Sequence, residues 1–459
     1  MDLNEYVHSL QGKRVAVIGI GVSNTPLIEL LLKAGVDVTA CDKKDRSAFQ
    51  SLAEALEQQG AHLQLGPGYL DGLDQDVIFR TPGLRPDVPQ LQAARQRGSR
   101  ITSEMEVFFQ VCPCFRIAVT GSDGKTTTTT LISELLKAAG KTVYLGGNIG
   151  HPLLCEAEQM DPKGIAVLEL SSFQLMTMQD SAEVAVITNL SPNHLDVHKD
   201  MDEYVSAKKN VFLHQSSQGT LILNADNAIT RGLAAEANGQ VRFFSRETEP
   251  ENGAFLREDM ICLAKNGQQR EVLNIHDIRI PGVHNIENYM AAILAVEGLV
   301  PDEVIRDVAK TFGGVEHRIE LVREWHGVRF YNDSIASSPS RTIAGLRSFS
   351  QKVILIAGGK DKGVSYDAIG PEIIEHVKKL YLTGPTSAKI RCAVEKSAGY
   401  RSKELPIVEL EDFRETVLAA AEAAEPGDVV ILSPASTSFD RFKNFMERGE
   451  TFKAIVQSL

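Results

Sequence analysis

Residues 120–132 read TGSDGKTTTTTLI. Residues 115–121, FRIAVTG, predict a buried β-strand, and the apolar run after the threonines predicts a helix. A strand that passes through a glycine-rich loop into a helix is the context of a phosphate-binding loop. Its glycines let backbone N–H groups turn toward a phosphate, and the helix N-terminus adds partial positive charge. The stretch therefore predicts a strand–loop–helix unit that binds phosphate.

The loop follows the short pattern G-x-x-G-K-T, because Val119 stands where the longer phosphate-loop pattern has glycine. We expect Lys125 to bridge the terminal phosphates and Thr126 to offer its hydroxyl to Mg²⁺. Residues 128–130 are interpreted as structural, since threonine hydroxyls in a first helical turn can bond back to the helix. The predicted ATP-binding residues of this segment are Gly121, Ser122, Asp123, Gly124, Lys125, Thr126 and Thr127.

Apolar runs and helical stretches alternate along most of the chain, which predicts parallel sheets with right-handed crossovers. With 459 residues the chain is too long for one compact core. We expect an α/β protein of three domains. They are an N-terminal Rossmann-like domain at 1–110, a central P-loop ATPase-like domain with a mostly parallel sheet at 111–315, and a C-terminal Rossmann-like domain at 316–459. Residues 240–280 are irregular and predict hairpins.

The formal net charge of -12 argues against nucleic acid as a partner, because duplex-binding proteins usually carry a basic surface. The six cysteines are scattered, which fits a reducing cytoplasm. No signal-peptide pattern or run of 18 apolar residues occurs. We therefore expect a cytoplasmic protein without a membrane span.

Two further strand ends carry residues suited to a metal. Glu169 ends the predicted strand GIAVLEL, where a carboxylate is well placed for a hard cation, although a solvated strand-end Glu is the plain alternative. His194 and Asp196 follow the next predicted strand, where a His–Asp pair is more often a turn hydrogen bond than a ligand set.

The N-terminal stretch GIGVSN leaves an alternative open. With Asp42 about 20 residues further on, it is a partial dinucleotide-binding fingerprint and would indicate an oxidoreductase. The third glycine is absent, and the phosphate loop favours a nucleotide triphosphate instead.

Taken together, the ordered motifs resemble those of the Mur ligases, ATP-dependent enzymes that add amino acids to the peptidoglycan precursor. The resemblance spans nearly the whole chain. It rests on GSDGKTT (121–127), GGNIG (146–150), LELSSFQL (168–175), NHLD (193–196), YVSAK (204–208), NADN (224–227), HNIEN (284–288), EHRIE (316–320), YNDS (331–334), GGKDKG (358–363) and SPASTSFDRFKNFMERGETF (433–452).

The last motif is similar to that of the members that add D-glutamate to UDP-N-acetylmuramoyl-L-alanine. The DNPR-type motif of diaminopimelate-adding members and the histidine-rich motif of the alanine-adding members are missing. Folylpolyglutamate synthase shares the phosphate loop but lacks the N-terminal UDP-binding domain expected here. We expect a monomer. The resemblance implies ATP, D-glutamate and the UDP-linked acid as partners, and a reaction that passes through an acyl phosphate.

The resemblance also implies site residues. Beyond the phosphate loop, ATP contacts would come from Asn288, Arg318 and Asp333, and the third domain would close over the nucleotide. UDP-substrate contacts would come from Val22, Ser23, Asp42, Thr81, Gly83 and Asn148. D-Glutamate contacts would come from Ser337, Lys362, Ser438 and Phe445.

Two Mg²⁺ sites are implied, one at Thr126 and Glu169, the other at His194 and Lys208. Lysine ligates Mg²⁺ only as a carbamate, which needs an amine whose pKa is lowered. Lys209 is the adjacent rival, and the residues alone would make both surface lysines on a helix. The catalytic set is thus Lys125, Glu169, His194 and Lys208.

One position departs from the family pattern: the common NDSKAT run is NDSIAS here, so Ile335 replaces a lysine. The D-glutamate side of the site loses a positive charge, for which Lys360 is a candidate replacement. Two alternatives stay open at this point. One is a ligase for another amino acid, and the other is a non-catalytic regulator that binds ATP.

Overall fold

The computed structural model describes residues 1–195 and 197–459. These residues form two compact units. The first comprises Met1–Ile275 and Glu287–Val308, and the second comprises His276–Ile286 and Ala309–Leu459. Three sheets of mainly parallel strands are present, with helices between the strands, which confirms the predicted α/β fold class.

The first sheet lies in the first unit and is parallel throughout. Its strands are β1 (Arg14–Ile18), β2 (Asp37–Asp42), β3 (His62–Leu65), β4 (Val77–Phe79) and β5 (Arg100–Thr102), in the order β3-β2-β1-β4-β5. Its helices are α1 (Leu3–His8), α2 (Asn24–Lys33), α3 (Ser51–Gln58), α4 (Pro89–Gln96) and α5 (Glu104–Val111). Strand order reverses direction between β1 and β4, and such a switch point leaves a ligand crevice beyond the strand ends.

The second sheet has nine strands. They are β6 (Phe115–Thr120), β7 (Val143–Gly147), β8 (Ile165–Glu169), β9 (Val184–Ile187), β10 (Thr220–Asn224), β11 (Gln240–Ser245), β12 (Gly253–Arg257), β13 (Met260–Lys265) and β14 (Gln268–Asn274), in the order β14-β13-β12-β11-β10-β9-β6-β8-β7. The accompanying helices are α6 (Lys125–Ala138), α7 (Ser172–Leu175), α8 (Met201–Lys209), α9 (Ala228–Gly232), α10 (His284–Ala295) and α11 (Asp302–Thr311). The predicted hairpins are confirmed for β12 to β14, which pair antiparallel, whereas β11 pairs parallel with both neighbours.

The third sheet lies in the second unit. Its strands are β15 (Glu320–Trp325), β16 (Val328–Asn332), β17 (Val353–Ala357), β18 (Val377–Leu382), β19 (Ile407–Glu409) and β20 (Val429–Leu432), in the order β15-β16-β20-β17-β18-β19. Only the pair β15–β16 is antiparallel among the described pairs. Its helices are α12 (Pro339–Leu346), α13 (Ile369–His376), α14 (Ser387–Lys396), α15 (Phe413–Glu422) and α16 (Phe445–Gln457).

Short 3₁₀ helices complete the chain at Arg46–Ala48, Leu154–Gln159, Leu233–Glu236 and Ile275–Asp277. The central strands β8, β17 and β20 are buried along their full length, as their continuous apolar runs predict for strands covered on both faces. No helix in the described parts of the chain combines the length and apolar character needed to cross a membrane.

Candidate active site

The phosphate loop, residues 121–124, joins β6 to α6 as predicted. Gly121 and Gly124 have φ of 146° and 79°, a region that favours glycine. A Cβ added at Gly124 would lie 2.5 Å from Asn288 Oδ1, and one added at Gly121 would overlap the Thr188 hydroxyl. The backbone conformation and the close neighbours therefore both disfavour a side chain at these two positions.

Two lysine side chains converge on one carbonyl of this loop. Lys125 Nζ lies 3.0 Å from Gly121 O, and Lys208 Nζ lies 2.8 Å from the same oxygen. Lys208 also donates to Thr120 Oγ1 at 3.1 Å and is 1% exposed. Burial and the neighbouring Lys125 charge lower the pKa of Lys208 well below its ordinary value. The neutral amine of Lys208 is therefore favoured beside the phosphate loop.

The adjacent Lys209 points elsewhere and forms an ion pair with Glu236. Of the two lysines near the end of α8, the structure brings Lys208 to the phosphate loop.

Glu169 ends β8, next to β6 in the sheet, and is 1% exposed. Its Oε1 accepts a hydrogen bond of 2.8 Å from Asn148 Nδ2, while its Oε2 is buried without a hydrogen-bond partner among the described residues. Leaving a buried carboxylate oxygen unpaired is costly. A hard divalent cation such as Mg²⁺ would bind this Oε2 atom, so Glu169 is a suitable ligand for the expected metal. Asn148, expected at the UDP substrate, orients that carboxylate here.

Two histidines surround Phe173 just beyond these strand ends. His194 has φ of 55° and places its ring edge-on to Phe173, with centroids 5.2 Å apart. His198 stacks on Phe173 at 5.3 Å, and its Nε2 lies 2.9 Å from Ser172 Oγ. Asp196, named above beside His194, lies outside the described residues. The sequence interpretation missed His198, although its position four residues after His194 was an available signal.

Ser122 faces the protein. Its hydroxyl lies 3.0 Å from Tyr204 Oη and its N–H donates to Asn189 O at 2.8 Å. Asp123 N–H donates to Asn189 Oδ1 at 2.9 Å. These two loop residues therefore already use their amides within the protein.

The threonine hydroxyls of α6 have different hydrogen-bond partners. Thr129 Oγ1 donates to Lys125 O at 2.8 Å, the predicted bond back to the helix. Thr128 Oγ1 instead donates to Asn288 Oδ1 at 3.2 Å, which places this predicted ATP residue at the start of α6. Thr126 and Thr127 lie half-buried in the first turn.

The predicted UDP-substrate residues of the N-terminal part gather at the carboxyl edge of the first sheet. Asp42 Oδ2 accepts from Ile20 N at 2.8 Å, and a Cβ added at Gly19 would lie 3.1 Å from Thr81 Cβ. Val22, Ser23 and Gly83 are exposed beside this crevice. The arrangement leaves exposed residues beyond the carboxyl ends of β1 and β4.

In the second unit, Asp333 follows β16 and is buried. Burial raises the pKa of Asp333 to about 7, against the opposing effects of the Ser433 hydroxyl and the Arg318 charge. Ser433 Oγ donates to Asp333 Oδ2 at 2.7 Å. The structure thus brings the predicted pair Arg318 and Asp333 within electrostatic reach of each other.

Residues expected to hold D-glutamate follow the carboxyl ends of β16, β17 and β20, which are adjacent strands. Lys362 Nζ lies 3.3 Å from Ser337 Oγ, and Ser438 is buried beyond β20. Phe445 begins α16, and its carbonyl accepts a 2.7 Å bond from Ser334 Oγ.

Two arginines near these residues were not predicted. Arg448 is buried and donates to Ser334 O at 2.8 Å and Ser436 O at 3.1 Å. Arg341 Nη1 donates to the carbonyl of Ile335 at 3.3 Å, so a cation lies beside the position that lacks the common lysine.

Two family models match this chain. Residues 119–296 match the Mur ligase middle domain, and residues 317–436 match the Mur ligase glutamate ligase domain. A UDP-N-acetylmuramoylalanine–D-glutamate ligase of Acetivibrio thermocellus is 55% identical over 100% of this chain and 99% of its own length. The chain belongs to the Mur ligase family.

This Mur ligase has other full-length relatives of the same printed name. The one from Ruminiclostridium cellulolyticum is 51% identical over 100% of this chain and 99% of its own, and the one from Clostridium novyi is 49% identical over 99% of each.

Solved structures support the same fold. The UDP-N-acetylmuramate-alanine ligase of Thermotoga maritima superposes with a TM-score of 0.56 at 18% identity, covering 97% of this chain and 99% of that one. A UDP-N-acetylmuramoyl-L-alanyl-D-glutamate–2,6-diaminopimelate ligase gives 0.53 at 18% identity, covering 92% and 86%. At this identity the likeness of this Mur ligase to them concerns the fold alone.

Proposed function

We propose that this chain is an ATP-dependent, amide-bond-forming ligase that adds D-glutamate to UDP-N-acetylmuramoyl-L-alanine in cytoplasmic peptidoglycan precursor synthesis, releasing ADP and phosphate. The 55% identity to a D-glutamate ligase over the whole chain carries this proposal. We assign one domain to each sheet, at 1–110, 111–315 and 316–459, in a monomeric enzyme.

Mur ligases use ATP and Mg²⁺, and the phosphate loop supplies the ATP contacts. Lys125 donates to the loop carbonyls of Gly121 and Ser122, and its ammonium group would bridge the terminal phosphates of bound ATP. Asn288, Arg318 and Asp333 contact the rest of the nucleotide. When bound, Mg²⁺ supplies the charge neutralisation that a carboxylate needs to approach a triphosphate. Thr126 with Glu169 would hold one ion, and His194 with Lys208 a second.

Lys208 would hold the second Mg²⁺ as a carbamate. Its neutral amine attacks the carbon of CO₂, a C–N bond forms, one C=O electron pair moves to oxygen, and a proton passes to solvent. The product is an anion with two oxygens. Burial of Lys208 beside Lys125 supports this proposal, because both favour the uncharged amine.

The reaction then needs two aligned attacks. The substrate carboxylate attacks the γ-phosphorus and ADP leaves. The amine of D-glutamate then attacks the acyl carbon and phosphate leaves. The UDP-linked substrate is held by Val22, Ser23, Asp42, Thr81, Gly83 and Asn148, and D-glutamate by Ser337, Lys362, Ser438 and Phe445. Arg341 supplies the cation at the place where Ile335 replaces lysine.

The test is phosphate release from ATP by the purified enzyme with UDP-N-acetylmuramoyl-L-alanine. D-Glutamate, L-glutamate and L-lysine are compared as acceptors. We expect release with D-glutamate only. Release with L-lysine but not D-glutamate would overturn the substrate assignment, and ATP binding without turnover would indicate a regulator.

A further inference from the structure

Two arginines flank residues 81–84, which we name the substrate loop because Thr81 and Gly83 are assigned there to the UDP substrate. Arg80 follows β4 directly and Arg85 follows the loop. Neither arginine is assigned to the ATP, metal, UDP-substrate or D-glutamate sites. Both nevertheless donate hydrogen bonds to segments that carry residues of those sites.

Arg80 is 2% exposed, and its guanidinium holds the substrate loop from within. Its Nη1 donates to the carbonyls of Thr81, Pro82 and Leu84, at 3.2, 3.2 and 2.6 Å. Its Nη2 donates to Phe173 O at 3.2 Å and Thr177 Oγ1 at 3.3 Å. One side chain thereby joins the loop to the segment that follows Glu169.

Arg85 joins the same loop to α8. Its Nη1 and Nη2 donate to the two Glu203 carboxylate oxygens at 2.9 and 2.8 Å, and Nη1 also donates to Val197 O at 2.6 Å. Its Nε and Nη2 donate to the two Asp87 oxygens at 2.8 Å. These bonds use all five N–H groups of the guanidinium, which a lysine with three donors could not reproduce.

Glu203 lies at the start of α8, the helix that carries Lys208. Its Oε2 lies 3.5 Å from His198 Nδ1, and His198 contacts Ser172 on the other side. The hydrogen bonds from Arg85 lower the pKa of Glu203 to about 2, so this carboxylate remains ionised across the working pH range. The contacts form a continuous path from the substrate loop through Glu203 and His198 to α7.

We propose that Arg80 and Arg85 are positioning residues that fix the substrate loop relative to the segments carrying Glu169 and Lys208. This inference rests on the proposed function. Its physical basis is the alignment that the first attack requires, since a displacement of about 1 Å can cost about 100-fold in rate. Exposed ion pairs usually contribute little to stability. Arg85 differs from such a pair because it is bidentate to two carboxylates and also binds a carbonyl, which constrains the geometry more strongly.

The experiment compares Arg85→Gln, Glu203→Gln and the double variant with the wild type. Arg257→Gln is the matched control, because Arg257 makes an exposed bidentate pair with Glu249 within the β11–β12 region. Turnover is measured with ATP, D-glutamate and UDP-N-acetylmuramoyl-L-alanine, at an assay temperature well below the melting temperature of each variant. Calorimetric titration gives the affinity for the UDP substrate and for an ATP analogue.

We expect kcat to fall about 10- to 100-fold in each single variant, while both dissociation constants change less than about threefold. The double variant should be no slower than the worse single variant, because the two residues act as one contact. The control should keep wild-type kcat. If Arg85→Gln does not fold, Glu203→Gln tests the same contact from the other side.

Unchanged kcat with a lower melting temperature would overturn the inference, since the contact would then only stabilise the fold. A weaker substrate affinity at unchanged kcat would overturn it too. A wild-type enzyme without turnover would overturn the proposed function, and the inference with it.

Discussion

Lys208 and Lys125 meet at the Gly121 carbonyl, and only one of them is deeply buried. We predict that Lys208→Ala loses turnover by at least about 100-fold, because the anion that we propose on this amine would be lost from the site. Acetate or formate should restore part of the rate, as measured by phosphate release.

Lys209→Ala is the control for this prediction, because the Lys209 side chain pairs with Glu236. It should keep most of the activity. If Lys209→Ala were the inactive variant and the one that carboxylates rescue, the assignment of Lys208 would be wrong.

Glu104 gives a prediction on pH. This residue of α5 accepts from Leu154 N at 3.2 Å, and burial raises its pKa from 4.5 to about 7. The folded state therefore binds the proton more tightly than the unfolded state, and the resulting stability is present below pH 4.5 and lost as pH rises to about 7. Glu104→Gln keeps an acceptor oxygen but does not titrate.

The melting temperature of Glu104→Gln minus that of the wild type should therefore rise between pH 5 and pH 7.5. Differential scanning fluorimetry across this range measures it. A difference that is constant with pH would show that the pKa of Glu104 is the same in the folded and unfolded states, and would contradict this prediction.

Among the elements, β6, the phosphate loop and α6 could be predicted because their signals are local: an apolar run, two glycines and a helical stretch. The hairpins of β12 to β14 were also predictable, whereas the parallel pairing of β11 depends on partners distant in the chain. The same limit applies to side chains. Arg85 contacts Glu203 118 positions later, and no spacing in the sequence indicates such a pair.

We predict that Gly121→Ala weakens binding of an ATP analogue by at least about tenfold while the circular dichroism spectrum stays that of the wild type. A methyl group there would overlap the Thr188 hydroxyl, and φ of 146° is strained for alanine. Isothermal titration calorimetry gives the affinity.

Gly232→Ala is the matched substitution, since nothing lies within 4 Å of its added Cβ and its φ of -64° suits alanine. It should bind the analogue as the wild type does. Equal affinity of both variants would contradict the assigned role of the loop.

For the whole molecule, the division into two compact units predicts two transitions in scanning calorimetry. A non-hydrolysable ATP analogue with Mg²⁺ should raise the transition of the first unit, because that unit holds the phosphate loop and Asn288. At 100 times the dissociation constant, binding stabilises by about 2.7 kcal/mol.

If the analogue left the transition of the first unit unmoved, the assignment of the phosphate loop to ATP would be wrong.

The bond between Thr128 and Asn288 joins residues 160 positions apart. On a translating ribosome, the phosphate loop therefore emerges long before the side chain that packs against its helix. A nascent chain that ends at β14 would expose a phosphate loop without Asn288. The capacity of the chain to retain ATP should arise only once α10 has left the exit tunnel.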